Sequence, residues 1–384
     1  MAEVTTTWPV FQLRRTLLVG AVLAVVGLGL AAVAIALDPR RGLLGYLAAY
    51  AAVISVAVGT LIFQLIAHAA NAKWPAPLRR VFESITVTLP VLALLFLPIA
   101  IGLGALYPWV HEETRKAGWL NTPGFLIRSA IYLAVFVASA EVLRRRSRLR
   151  DRDVVPNDRD RRISSGLLPP VGLAITFAAF DWLMSLQPAW FSSMFGVYYF
   201  AGGFGAAFAL SAILAWQARE RAGLDVAITP HHFHALGRML LGFVVFWTYT
   251  HYFQGFLIQI ADRPTEVTFF LQRTQHGWGG LLWVVLVLHF IVPFFLLLPR
   301  RLKMRPRYLA AVGALVLVGH VLDVFWIVVP SSGEPLSLHL ADVASLVGIA
   351  GACIAVAAWR QRGVSVVPAG DPFLADGIRY ASPT

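Results

Sequence analysis

The chain has 384 residues, of which 58% are hydrophobic and only 14% are charged. Soluble globular chains contain about 45–50% apolar and about 25% charged residues, so this chain cannot cover its surface with polar groups in water. The single cysteine, Cys353, excludes a disulfide framework, a four-cysteine iron–sulfur site and a covalent haem-attachment motif. The composition predicts a polytopic membrane protein without a separate soluble domain.

Ten apolar runs are long enough to cross a bilayer, which takes about 20 helical residues. They cover residues 16–37, 43–69, 81–105, 123–142, 166–186, 190–216, 232–259, 275–298, 308–329 and 340–359. The predicted fold is therefore an all-α polytopic membrane protein with about ten transmembrane helices. The first run is too long for the apolar region of a signal peptide, so we interpret it as a membrane helix.

The strongly basic balance, with a net charge of +12, has two possible meanings: nucleic-acid binding or membrane topology. The N-terminus, the even-numbered loops and the tail hold 24 of the 32 Lys and Arg residues, and the opposite loops hold six; Arg128 and Arg238 lie within spans. This bias follows the positive-inside rule and predicts that both termini are cytoplasmic. The charge is explained by topology, and no nucleic-acid partner is predicted.

Spans five and nine share a pattern, because Asp181 and Asp323 each precede a proline by seven residues. We interpret this as a repeat in which spans two to five and six to nine form two parallel four-helix bundles; a chance coincidence is the alternative. The predicted domains are an N-terminal helix (1–42), bundles at 43–188 and 189–330, a C-terminal helix (331–362) and a cytoplasmic tail (363–384).

The loop at 143–165, which is rich in Arg and Asp, is the strongest break in composition along the chain. Because its opposite charges largely neutralise each other, we interpret it as a solvated hinge between the halves. A docking strip for anionic lipid headgroups is the alternative.

Ionisable residues inside a bilayer are costly, so they usually face a bundle interior, a partner or water. The predicted spans sort them into two sets with few ionisable groups between. The cytoplasmic half holds His68, Glu83, Glu141, His234 and Arg238, and the outer half holds Arg128, Asp181, His251, His320, Asp323 and Asp342. All eleven are candidates for a proton path, because the two sets resemble two proton half-channels entered from opposite faces.

Each of these candidates also has a structural interpretation. His320 and Asp323 share a helix face, where the acid can orient the imidazole, exchange a proton with it or simply hold helices together. Arg128 fits the counter-ion of an outer-half acid. Glu83 and Glu141 fit ordinary solvation at a helix end.

Histidines raise the question of haem or metal. His251, His289 and His320 lie at depths that suit b-type haem ligands, although hydrogen bonds to neighbouring residues are the simpler interpretation. The cluster around His231 and His234 suits a metal ion or a solvated helix start, and the latter is favoured. We predict no catalytic residue and no metal site in this chain. The abundant Trp and Tyr residues fit interface anchors, with a quinone pocket as the alternative.

Several segments resemble a known family. They include Tyr46–Tyr50, Arg79–Glu83, Leu94–Pro98, Leu106–Trp109, Phe180–Pro188, Trp190–Tyr198, Gly277–Gly279, His289–Leu298, Val321–Trp326 and Asp371–Leu374. Together they are similar to the ActF family, the second NrfD-like (polysulfide-reductase-type) integral membrane subunits of bacterial alternative complex III. The resemblance covers nearly the whole chain, and Phe180–Leu186 followed by Phe195–Tyr198 is its most specific part.

The resemblance implies a ten-helix subunit of a quinol–electron acceptor oxidoreductase in the bacterial inner membrane. Such a subunit carries no redox cofactor of its own and offers proton paths. The implied partners are a related quinol-binding NrfD-like subunit, an iron–sulfur protein, multihaem and monohaem c-type cytochromes, and in some cases a terminal oxidase. Asp181, His289 and Asp323 fall on matched motifs. The chain departs from the family pattern around 251–270, which leaves the role of that region open.

The leading hypothesis is therefore a non-catalytic membrane subunit of a quinol-oxidising respiratory complex, which stabilises the assembly and conducts protons. A stand-alone secondary transporter is one alternative, although the acids avoid the membrane midplane where transporter sites lie. A quinol-binding catalytic subunit is the other.

Overall fold

The computed structural model describes residues 8–112, 116–151, 157–261 and 264–383. Within these ranges the chain is all-α: helices carry the fold, no strand forms, and the only β pairing is an isolated bridge between Val10 and Ser365. The predicted all-α class is confirmed.

The helices follow the predicted runs closely. In the first half they are α1 (Arg14–Leu37), α2 (Pro39–Ala69), α3 (Arg79–Thr86), α4 (Leu89–Leu94), α5 (Leu97–Ile101), α6 (Leu103–Leu106), α7 (Thr122–Arg150) and α8 (Asn157–Trp182). In the second half they are α9 (Phe195–Ala222), α10 (Pro230–Ala261), α11 (Pro264–Thr274), α12 (Trp278–Val285), α13 (Val292–Leu297), α14 (Arg300–Lys303), α15 (Pro306–Val328), α16 (Leu340–Gln361) and α17 (Leu374–Ile378).

Nine helical segments of the described chain are long and apolar enough to cross a membrane. The chain is therefore a multi-pass membrane protein. The seventh predicted span also forms a helix, α10, of 32 residues, but it is not among the nine. Its second half carries Thr, Tyr, His and Gln residues, which lower its mean hydropathy.

The third predicted span, 81–105, is not one continuous helix as expected. It is broken into the short helices α3 to α6, with Pro90 and Pro98 each near the start of a piece. Proline has no backbone N–H and its ring clashes with the preceding turn, so it interrupts helical hydrogen bonding.

Helices α2 and α9 pack against each other at the centre of the molecule. The apolar window of α2 is 89% buried inside the protein, whereas that of α1 is only 22% buried. Helix α2 contacts α8, α9, α15 and α16, while α1 packs along α16 and exposes apolar side chains such as Val25. The polar side chains in the central and last turns of α2, Ser55, Thr60, Gln64 and His68, are therefore buried inside the protein.

The segment 143–165, interpreted as a solvated hinge, has exposed residues but also a buried ion-pair cluster that the sequence did not predict. Arg150 and Asp160 are 5% and 1% exposed and lie within ion-pair distance of each other. Arg146 also pairs with Asp160, and Asp371 from the tail lies 3.7 Å from Arg150. Buried charges need partners, and here the end of α7, the start of α8 and the tail supply them. Residues 152–156 lie outside the described part.

Both ends of the chain lie together. The N-terminal segment pairs with the tail through the amide of Phe11, which donates to Val364 O at 2.9 Å, and the amide of Val366, which donates to Pro9 O at 2.9 Å. Whichever side of the membrane they occupy, the two ends share it.

Candidate functional site

Asp323 on α15 is a buried carboxylate that, among the described residues, has no Lys or Arg as an ion-pair partner. The side chain is 2% exposed and accepts two hydrogen bonds, one from the Tyr198 hydroxyl on α9 and one from the Trp247 indole N–H on α10, the latter at 3.0 Å. We name Asp323, Tyr198, Trp247, His251, His289 and His320 the Asp323 cluster.

His289 reaches this cluster from an irregular helix. Residues Leu286–Ile291 form a π-helical segment between α12 and α13, and such segments are frequent at functional sites. The imidazole of His289 stacks on the Trp247 ring with centroids 4.1 Å apart. Gly319 permits this approach, because a Cβ at that position would lie 2.9 Å from the His289 backbone.

His320 turns away from the acid on its own helix. Its Nε2 lies 2.9 Å from Ser55 Oγ on α2 and 3.3 Å from Ala52 O, and Asp323 instead binds donors on α9 and α10. The expected direct pairing of His320 with Asp323 is therefore wrong. Gly203 on α9 lets α2 approach at this level, since a Cβ there would lie 2.6 Å from Ser55 Cβ.

A small cavity adjoins the cluster beside His251 and Tyr198. His251 Nδ1 lies 3.3 Å from the Tyr198 hydroxyl, and both side chains line the cavity together with Gln254. The cavity volume is about 10 Å³, which is room for about one water molecule. A chain of polar atoms therefore runs from the cavity through His251 and Tyr198 to Asp323.

Asp181, the acid at the matching position of the first half, is held very differently. Its side chain is fully buried, and Arg128 donates to both carboxylate oxygens, Nε to Oδ2 at 2.8 Å and Nη2 to Oδ1 at 3.0 Å. Trp119 Nε1 and the Tyr132 hydroxyl each add a bond at 2.8 Å. Arg128 is therefore the counter-ion of Asp181, which agrees with its interpretation from the sequence as the counter-ion of a membrane-embedded acid.

The two acids thus accept hydrogen bonds from the same types of donor, but among the described residues only Asp181 has a cation beside it. Each accepts from one Trp and one Tyr, although the partners come from non-equivalent elements and so do not follow the predicted repeat. Asp181 is locked in an ion pair with four hydrogen bonds. An ionised carboxylate buried without a counter-ion is costly, so Asp323 is the better suited of the two to take up and release a proton.

Asp342 does not belong to either acid's surroundings. It accepts from Arg41 on α2 in a bidentate pair at 2.7 and 2.6 Å, and its Oδ2 accepts from the His339 backbone at the start of α16. Arg41, counted in the sequence as an outer-loop residue, is only 3% exposed. Asp342 is therefore a helix cap and an ion-pair partner that joins α2 to α16, which argues against a place in a proton path.

The cytoplasmic-half candidates His68 and Glu83 lie in one charged network. Glu83 is 5% exposed; it accepts from Arg80 at 2.7 Å and from the Ser147 hydroxyl. Arg80, fully buried, also pairs with Asp151. His68, at the end of α2, experiences the positive charges of nearby arginines, and its Nδ1 has no hydrogen-bond partner among the described residues.

Glu141 lies at the margin of this network rather than in its buried part. It is half-buried and is held by Arg144, Arg145 and, at 2.6 Å, Arg360 from α16. Burial by itself disfavours an ionised carboxylate, but three arginines compensate. Glu141 joins α7 to α16 and resembles an ordinary helix-end ion pair.

A cluster of four phenylalanines packs beside α2, between the levels of Ser55 and His68. The rings of Phe63, Phe204, Phe208 and Phe243 pack with centroid separations from 4.4 to 6.5 Å. Beside this phenylalanine cluster, α2 carries Thr60 and Gln64, both buried, between Ser55 and His68. These two residues were not singled out in the sequence; their spacing of four from each other and from His68 places them on one helix face.

His234 and Arg238 lie near the start of α10 and are not part of the charged network around Glu83. His231 and His232 each have their own partners, Ser382 Oγ at 3.1 Å and Gly377 O at 3.0 Å. Among the described residues no group of three His, Cys, Asp or Glu side chains could hold a metal ion. The histidines at this helix start tie α10 to the tail.

Arg273 is a buried residue that the sequence alone assigned to an outer loop. Its guanidinium is 1% exposed and donates to Ile327 O at 2.6 and 3.1 Å, to Phe269 O at 2.9 Å and to Gln187 Oε1 at 3.1 Å. Burial lowers the pKa of Arg273 to about 9, which leaves it charged at neutral pH. Arg273 thus caps the carboxyl end of α15 through Ile327, which lies four residues after Asp323. Because Ile327 lines the cavity, this contact holds one wall of the cavity in place.

Comparison with known proteins does not assign the chain to a family. No protein-family model matches the chain, and no curated protein matches it.

Proposed function

We propose that this chain is a membrane subunit of a quinol:electron-acceptor oxidoreductase of the bacterial respiratory chain, of the alternative complex III type. The chain itself holds no redox cofactor, and haem c, iron–sulfur clusters and the quinol site belong to partner subunits. The proposed location is the inner membrane, with both termini in the cytoplasm, in line with the positive-inside bias. The proposal rests on the resemblance of the Phe180–Tyr198 region to the ActF family.

The structural observation that supports a proton path is the Asp323 cluster. A water in the cavity would exchange a proton with His251, whose Nδ1 lies 3.3 Å from the Tyr198 hydroxyl. The hydroxyl can give its proton to Asp323 while its oxygen takes up the proton of His251 Nδ1–H. Rotation of the new O–H bond toward Asp323 then restores the starting arrangement. Burial without a counter-ion favours uptake of that proton by Asp323.

The inner half of the path would follow α2. Ser55 contacts His320, and Thr60, Gln64 and His68 follow along the buried helix. Ser55 and His68 are 13 residues apart, or about 20 Å along the axis. Because this distance exceeds the reach of any direct hydrogen bond, transfer past the phenylalanine cluster requires water. The arrangement supports two half-channels that are joined only when the phenylalanine cluster hydrates.

The second candidate, a quinol-binding catalytic subunit, is favoured by one observation. His251 and Gln254 line a cavity beside a buried acid, which are the polar groups that a quinol hydroxyl would need. A cavity of about 10 Å³ holds a water molecule but no quinol ring. A quinone-site inhibitor that labels this chain and not a related subunit would establish this alternative.

Purification from native membranes tests the subunit proposal. A tagged full-length chain should co-purify with c-type haem, seen by absorption spectroscopy, and with iron in stoichiometric amounts. A stand-alone transporter, the third candidate, should purify alone or as a homo-oligomer without haem. A haem-free preparation that retains substrate transport contradicts the proposal.

A further inference from the structure

A second and larger opening lies at the end of the bundle that carries the tail. This groove has a volume of about 290 Å³ and is lined by Trp74, Ala235, Arg238, Met239 and Tyr380. None of these residues belongs to the Asp323 cluster or to the surroundings of Asp181. The groove therefore needs an explanation independent of the proposed proton path.

The positive charge at the groove is unbalanced. Arg238 on α10 is exposed and forms no ion pair or hydrogen bond with another described residue. Lys303 is 5% exposed, and its aliphatic stem packs on Gly237, next to Arg238. No described acid pairs with Lys303 either. Burial and then the charge of Arg238 lower the pKa of Lys303.

Two further basic groups surround the same place. His234 is 4% exposed, its Nδ1 has no hydrogen-bond partner among the described residues, and the charges of Lys303, Arg300 and Arg238 all act on it. The Nε of Arg300 is also buried without a partner. Unpaired buried donors and cations are unfavourable. An anion in the groove would contact Arg238 directly, and its charge would offset the positive charge of Lys303, His234 and Arg300 behind it.

The surface beside Arg238 is suited to acyl chains. Arg238, Gly242, Val245 and Tyr249 are spaced by four, three and four residues, so they lie on one face of α10. Val245 is 42% and Tyr249 is 52% exposed. A cation at a helix end thus continues into an exposed apolar face, and Trp74 and Tyr380 supply the aromatic rings typical of the membrane interface.

We propose that the groove binds the phosphate headgroup of an anionic phospholipid, with Arg238 as the main contact, Lys303 and His234 behind it, and the acyl chains along the exposed face of α10. Basic pockets between transmembrane helices are known to accept such headgroups. The apolar face distinguishes a lipid from a free phosphate ion, which would need no such surface. This site does not depend on the proposed respiratory function.

The test uses the full-length chain purified from native membranes, delipidated in detergent and titrated in native mass spectrometry. The probes are phosphatidylglycerol, phosphatidylcholine with the same acyl chains, and inorganic phosphate. Phosphatidylglycerol should bind more tightly than phosphatidylcholine, and inorganic phosphate should not compete. Arg238→Gln should weaken phosphatidylglycerol binding by about five-fold, since each basic contact to an anionic lipid contributes roughly that factor.

The matched control is Arg362→Gln, which removes the same charge from an exposed position after α16 that does not line the groove. It should leave the affinity unchanged, and Arg238→Lys should retain most of it. Equal binding of the two lipids, or equal losses in the two Gln variants, would overturn the site. Competition by inorganic phosphate would reassign it to a free anion. Photo-crosslinking from position 245 should capture lipid, and capture of a protein subunit would contradict the proposal.

Discussion

Trp247 donates its indole N–H to Asp323 across 3.0 Å, and both residues are almost completely buried. The bond connects α10 to α15 at the level where His289 stacks on the same indole. Because a buried carboxylate oxygen without a donor is costly, this contact fixes the acid and the surrounding rings in one arrangement. It is the structural centre of the Asp323 cluster.

Trp247→Phe tests how much this hydrogen bond contributes to the stability of the protein. The substitution keeps an aromatic ring for His289 but removes the N–H donor, so the free energy of unfolding should fall by about 1–3 kcal/mol. Thermal unfolding in detergent measures the change. Trp283→Phe is the control, because Trp283 is 67% exposed and its substitution should change the stability by no more than about 0.5 kcal/mol. Equal effects of the two substitutions would contradict the assignment.

Arg128→Met should destabilise the first half more strongly. It leaves the Asp181 carboxylate buried without its counter-ion, a change that typically costs about 3 kcal/mol or more. Adding Asp181→Leu to the same chain should recover part of the loss, because no uncompensated charge then stays buried. The double-mutant cycle is read from unfolding temperatures. Strictly additive losses would show that the two residues do not depend on each other.

The ion pair between Arg41 and Asp342 should stabilise the packing of α2 against α16. Arg41→Met breaks a bidentate buried pair. Arg40→Met removes an exposed neighbour whose one hydrogen bond to a described residue is a 3.3 Å bond to Ser331 O. We expect a clear loss of thermal stability for the first variant and a small one for the second. Similar unfolding temperatures for both would contradict the role given to Asp342.

The sequence predicted the helical class because long apolar runs dominate it. It offered Arg128 as the counter-ion of an acid at a similar depth, but it did not identify Asp181 as that acid. The positions of Pro90 and Pro98 could have revealed the broken third span. Helix periodicity placed His320 and Asp323 on one face but could not identify their partners. Ser55 lies 265 residues from His320 in the chain, and Tyr198 lies 125 residues from Asp323. Only tertiary packing determines which of these groups meet.

Burial of charged residues near the helix ends was the least predictable feature. Arg41 and Arg273 follow or precede apolar runs, so the sequence assigns them to loops, yet neighbouring helices cover both. The same holds for Arg150 and Asp160, whose burial depends on Asp371 from the distant tail. Whether such a residue is solvated depends on elements far away in the chain, and the local sequence holds no information on that packing.

The most direct test of the account is the number of protons moved per quinol oxidised by the assembled complex in liposomes, with Asp323→Asn. The amide keeps the shape of the side chain but cannot take up a proton, so proton translocation should fall to a small fraction while quinol oxidation continues. Asp225→Asn, at a largely exposed acid, is the control and should leave the ratio unchanged. An unchanged ratio in Asp323→Asn would contradict the proton path and leave only the structural role in the complex.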